Sequence, residues 1–191
     1  MAYCSVGDVK EYFKLSVSTD DVLIEMLIGA AQAYIEEAVG FAFEASADTT
    51  RTFDAIADVD GYTLTFDTWC CSITSITNGD GISVTSSQYV TEPRNAETYY
   101  AVRLKASTGA MWTYSTDPED AISVTGRWAW STTADDNIRQ ACMRLAGWMY
   151  RQRENRTGED DRTIVAGNAT ILPAAMPSDV AVLLKPYRVM K

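Results

Sequence analysis

Hydrophobic residues change their spacing twice along this chain, and that change limits the possible fold more than any single motif does. Between Asp20 and Gly40 the apolar set Val22, Leu23, Met26, Leu27, Ala30, Ala31, Tyr34, Ile35 and Ala38 recurs at the spacing of a helix. From about Arg51 to Trp130 the pattern becomes short runs rich in Thr, Val, Ile, Tyr and Trp between turn residues, as half-buried strands require. After Thr133 the helical spacing returns in Ile138, Ala141, Cys142, Leu145, Trp148 and Met149. A strand-rich stretch enclosed by helical ones predicts an α+β fold: a helical bundle with an inserted antiparallel β lobe.

Local signals give the boundaries. Ser5-Val6-Gly7-Asp8 has the form of a capping box and predicts a short helix over about 5–15. Ser18-Thr19-Asp20-Asp21 opens a second helix over about 20–39, closed by Gly40. The β lobe spans about 51–130, and within it Ser72–Thr77, Asn78-Gly79-Asp80-Gly81 and Ile82–Val84 form a hairpin signal, because those turn residues tolerate positive φ. A third, long helix is expected over about 134–154, then a mobile polar loop at 155–161. A short closing helix over about 178–184 and a C-terminal tail at 185–191 complete a single domain spanning 1–191.

Composition excludes several classes of function. The 191 residues contain no histidine, which removes imidazole-based triads, imidazole metal ligands and the commonest general base. Sixteen Lys+Arg against 26 Asp+Glu give a net charge of -10, a balance that disfavours gripping phosphate backbones. No stretch approaches the ~20 apolar residues of a membrane span, and the N-terminus has no basic-then-apolar leader pattern. Cys4, Cys70, Cys71 and Cys142 have no CxxC spacing and read as free, buried thiols.

The remaining clusters have plain explanations. Asp20-Asp21 and Asp135-Asp136 stand at helix N-termini, where capping and the helix dipole account for them, and Glu159-Asp160-Asp161 reads as a solvated loop. Asn78-Gly79-Asp80-Gly81 begins like a calcium loop but lacks the later acidic ligands. Trp112, Trp128 and Trp130 fit strand positions that pack in a core or an interface, not a basic stacking platform. Arg151, Arg153 and Arg156 suit the C-terminal end of a helix and could pair with acids on a neighbouring subunit.

The order of elements, with Ser5–Tyr12, Asp20–Ala31, Gly40–Phe43, Ile73–Thr77, Val124–Gly126, Ile138–Ala141, Leu145–Glu154 and Val182–Arg188, resembles the head-to-tail connector (adaptor) family of tailed bacteriophages. The form resembled is the long one with a strand-rich insertion. The sequence departs from the commoner pattern in having Ala134-Asp135-Asp136, without Pro, before the third helix, and in the length of 92–120. The resemblance implies a non-enzymatic virion subunit without cofactors, made in the host cytoplasm and located in the neck at the head-tail junction. It implies a dodecameric ring of identical subunits that docks on the portal protein. The ring extends the DNA channel toward a stopper or tail-completion protein, with DNA passing without sequence-specific binding and no membrane involved. Carried over to this chain, Leu183, Leu184, Tyr187 and Arg188 become candidate portal contacts, and Trp148, Arg151 and Arg153 candidate ring contacts. The competing expectations are a tail-terminator or other head-completion protein, a monomeric binding module with an exposed sheet face, and a hydrolase relying on Asp and Glu alone.

Overall fold

Ser5 opens the first helix: its Oγ accepts the Asp8 N–H at 3.1 Å while the Asp8 carboxylate accepts the Ser5 N–H at 2.7 Å. This reciprocal cap satisfies two otherwise orphaned donors and opens α1 (Val6–Phe13). The structure, a computed structural model, describes residues 2–16, 18–154, 164–166, 169–171 and 177–188. The stretch 155–161, expected as a mobile loop, lies outside them.

Helix α2 (Asp21–Val39) buries Ile24, Ile28, Ala31, Ile35 and Val39, one stripe at three- and four-residue intervals, and ends at Gly40 with φ 91°. Helix α3 (Asp136–Glu154) buries Ile138, Ala141, Cys142, Leu145, Ala146 and Tyr150. Helix α4 (Ser178–Arg188) buries Val180, Leu184 and Tyr187. Residues 185–188, expected as part of a tail, are therefore helical. Pro186 sits in the last turns of α4 and leaves the Val182 carbonyl without an intrahelical donor. Val182 is 68% exposed, so water can reach that carbonyl. These four helices belong to one compact unit, Ala2–Gly40 with Asp135–Lys191. The same stretch of chain carries a short hairpin that the periodicity did not suggest, Ile164–Ala166 against Ala169–Ile171.

The second unit, Phe41–Ala134, holds eight strands in two antiparallel sheets rather than one. Strands β1 (Thr49–Phe53), β4 (Ser72–Thr77), β5 (Ser83–Val84) and β8 (Ile122–Arg127) form the first, in the order β1-β8-β4-β5. Strands β2 (Val59–Asp60), β3 (Thr63–Cys70), β6 (Tyr89–Glu92) and β7 (Tyr99–Leu104) form the second, in the order β2-β3-β7-β6. The chain passes from one sheet to the other at Cys71, whose N–H donates to the Arg127 carbonyl at 2.9 Å. Phe53, Ile76, Ile122 and Val124 from the first sheet and Leu64, Phe66, Val102 and Leu104 from the second share one core with Trp112 and Trp128. At Gly126 a Cβ would lie 2.2 Å from the Ser72 carbonyl oxygen, so only glycine lets β8 approach β4 this closely.

The expected hairpin is present, with Ile76 opposite Val84. Its turn is also a tertiary anchor. The buried Asn78 side chain donates to the Met111 carbonyl and to Thr113 Oγ1, both at 2.9 Å, and accepts the Thr113 N–H at 3.0 Å. The long 92–120 segment is thereby fastened by an amide that can donate and accept at once.

Candidate interaction surface

In the helical unit, paired carboxylates hold helices together instead of composing a reactive centre. Asp20 makes no side-chain cap on α2. Its carboxylate instead accepts the Tyr150 hydroxyl at 2.6 Å, tying the start of α2 to the end of α3. Asp21 pairs with Lys10 at 2.8 Å, and Asp135 accepts the Tyr187 hydroxyl at 3.1 Å, tying α3 to α4. Asp20 thus has a tertiary role instead of a cap and Asp135 has a tertiary contact, while Asp21 and Asp136 stand in the first turns of α2 and α3, where the helix dipole favours them. Asp80 is likewise occupied by the Ile82 N–H and the Thr113 hydroxyl. No group of three potential metal ligands occurs among the described residues.

The thiols and the tryptophans are structural as well. Cys4 and Cys142 lie buried with their Sγ atoms 3.6 Å apart, and the shared hydrogen bond together with burial pushes the Cys142 thiol far up. Burial raises Cys70 to about 11, out of the range of a useful nucleophile. Trp112 and Trp128 are buried, donating their indole N–H to the carbonyls of Tyr62 and Thr49, each at 2.9 Å. Trp130 stacks on Phe41 at 5.7 Å and meets Trp69 edge-on at 5.2 Å. Trp112, Trp128 and Trp130 are accordingly packing elements.

What the helical unit does present is a surface. Gly147 on α3 makes room for the Phe13 ring: a Cβ there would lie 1.9 Å from Cε2 of that ring. The Arg151 guanidinium sits 4.6 Å from the centre of the same ring, a cation–π contact. Around this pair, Tyr12, Phe13, Arg144, Trp148, Arg151, Pro177 and Asp179 line a depression of about 210 Å³. Arg144 and Asp179 bridge α3 and α4 at its edge, 2.9 Å apart. Trp148 is half-buried and Arg151 exposed, so two of the three candidate ring residues meet in one depression. The Arg153 side chain lies outside the described residues.

The candidate portal residues divide differently. Leu184 is fully buried and Tyr187 is 9% exposed and hydrogen-bonded, so both face the helical core. Leu183 is half-buried, and the Arg188 side chain lies outside the described residues. The open face of α4 belongs to Val182, Lys185 and Pro186. Sequence spacing alone did not separate these two faces, because Val182, Leu183 and Leu184 are consecutive apolar residues. It also missed a second surface: Val22 and Met26 on α2, 72% and 69% exposed, lie opposite the buried stripe.

Comparisons with known proteins bear on what such surfaces serve. The fold is similar to a chain in the neck of an empty gene transfer agent (GTA) particle computed with C6 symmetry, with a TM-score of 0.60 and 15% identity over 97% of this chain and 89% of that one. It is similar also to a chain in the neck of the native GTA particle computed with C12 symmetry, with a TM-score of 0.58 and 16% identity over 97% and 88% of the two chains. A chain in the virion of the native GTA particle matches with a TM-score of 0.58 and 16% identity over 97% and 89%. No curated protein sequence matches this chain. The model of one family, head completion protein, matches residues 2–190, and the chain belongs to that family.

Proposed function

We propose that this chain, a structural head-completion protein by family, is one subunit of a connector ring in the neck of a tailed virion or virion-like particle. The ring docks on the portal and extends the DNA channel toward the stopper or tail. The observation that carries this reading is end-to-end fold similarity, over 97% of the chain, to subunits of particle necks treated with C6 and C12 symmetry. A twelve-fold ring of identical copies is the assembly proposed here. Rotational symmetry requires each subunit to offer two different patches, and the Trp148–Arg151 depression is one of them.

The proposed portal contact is the open face of α4, made by Val182, Leu183 and Lys185, with Leu184 and Tyr187 holding the helix in place from beneath. The test is association of the purified chain with portal rings of the same particle, imaged by electron microscopy. Deleting α4 would expose the core it covers, so Val182→Asp is the appropriate variant: the chain stays folded and portal association drops. Wild-type protein that ignores an intact portal would overturn the connector reading and favour a tail-terminator or a monomeric binding module. Full association of Val182→Asp would move the contact off α4.

A further inference from the structure

We propose that the outward face of α2 is the second ring patch, and that Val22, Met26, Ala30 and Ala33 cover the Tyr12–Trp148 depression of a second copy of this chain. The inference rests on the ring reading and identifies its subunit contact.

Helix α2 is apolar on both sides. Ile24, Ile28, Ala31 and Ile35 fill the core of their own unit, while Val22 and Met26 stand 72% and 69% exposed with Ala30 and Ala33 open beside them. A Cβ built on Gly29 would meet nothing within 4 Å, so the helix surface is open there too. A helix that is apolar all round is ordinarily covered on both faces, and small residues let a partner approach its backbone closely. Met26 is unbranched and polarizable, suited to filling an irregular aromatic depression.

Charge identifies the occupant as another copy. Glu25 and Glu37 flank the stripe, exposed and without an ion-pair partner among the described residues. The depression carries Arg151, whose contact among the described residues is the Phe13 ring rather than a carboxylate. The two patches therefore complement each other in shape and sign. Two-fold pairing of stripe on stripe would set carboxylates against carboxylates, whereas head-to-tail contact can set Glu25 near Arg151. Head-to-tail contact between different patches is also the geometry that closes a ring.

The experiment uses the full chain in solution and on portal rings, with assembly followed by sedimentation and electron microscopy, and monomer folding checked by thermal unfolding. Met26→Glu, Glu25→Arg and Arg151→Glu are each expected to raise the concentration needed for rings by about tenfold or more; the first two leave the monomer's unfolding unchanged, and Arg151→Glu lowers it slightly through its lost contact with Phe13. The Glu25→Arg/Arg151→Glu double variant is expected to return to within about threefold of wild type, because the swapped pair restores the attraction. Wild-type assembly by Met26→Glu, or a double variant no better than the singles, would overturn this contact and leave the ring reading standing. Failure of the wild-type chain to form a ring in solution and on the portal alike would overturn both.

Discussion

Gly147 lacks a side chain because Phe13 occupies the place one would take, and this close approach is one of the contacts that tie α1 to α3. Gly147→Ala puts a Cβ 1.9 Å from Cε2 and 2.3 Å from Cζ of the Phe13 ring. The ring must leave its seat beneath Arg151 or the helices must part, and overpacking of this kind costs about 1–3 kcal/mol. Urea unfolding of the variant should show that loss, and an unchanged midpoint would mean that the ring moves freely. The α1 cap makes a second prediction at this scale. The Ser5 backbone N–H, then the Ser5 hydroxyl contact, hold the Asp8 carboxyl below its ordinary value of 3.8. A carboxyl whose folded value is depressed stabilises the fold above its unfolded value and loses that contribution as pH falls through the folded one. Asp8→Asn should therefore destabilise the chain near neutral pH by about 0.3–1 kcal/mol, the range for a carboxylate charge lost at a helix N-terminus. The difference from wild type should shrink once the pH drops below about 4, the unfolded carboxylate range. A difference constant from pH 7 to pH 3 would assign the effect to packing instead of charge.

At the scale of elements, α2 and α3 were readable because a buried stripe at helical spacing is a strong, local signal. Ile24, Ile28 and Ile35 lie inside as that spacing requires. Val22 and Met26 belong to the same apolar run yet lie outside, because periodicity cannot say which side of a helix with apolar residues on two faces meets its own core. The strands around Tyr62–Phe66 and Ser72–Thr77 were likewise readable by alternation, but their division between two sheets was not. It depends on the crossing at Cys71 and on long-range partners such as Ile73 with Gly126. On sequence the closing helix ends at about Leu184, since Pro186 reads as a stop, whereas α4 runs from Ser178 to Arg188. The helix continues because its missing bond faces water at Val182. Its packing gives a sharp expectation. Leu184→Ala removes a fully buried side chain and should cost about 2–5 kcal/mol, whereas Val182→Ala on the open face should stay within about 0.5 kcal/mol. Equal effects of the two in thermal unfolding would mean that α4 does not pack on the helical core.

At the scale of the whole molecule, no single motif was diagnostic; the order of ordinary packing elements over residues 2–190 carried the family. The contact surfaces were less legible than the fold because an interface residue and a core residue are chemically the same until a neighbour is drawn. What the sequence states outright at this scale is charge. With 26 acids, 16 cations and no histidine, the chain stays at about -10 across the pH range where histidine would titrate. The proposed ring would repeat that charge in every subunit around the passage proposed for DNA. Phosphate binding is driven by cations that release counterions, so a surplus of carboxylates lowers affinity for any DNA sequence alike. The expected outcome is that neither the chain nor its ring retards duplex DNA in a gel at about 0.15 M salt, where screening has a range of about 8 Å. Lowering the salt should not induce binding, because weaker screening strengthens the repulsion along with any attraction. Retardation that grows steeply as salt falls would reveal a cationic strip concentrated on one face. A channel built from the proposed ring would then hold DNA instead of letting it slide through.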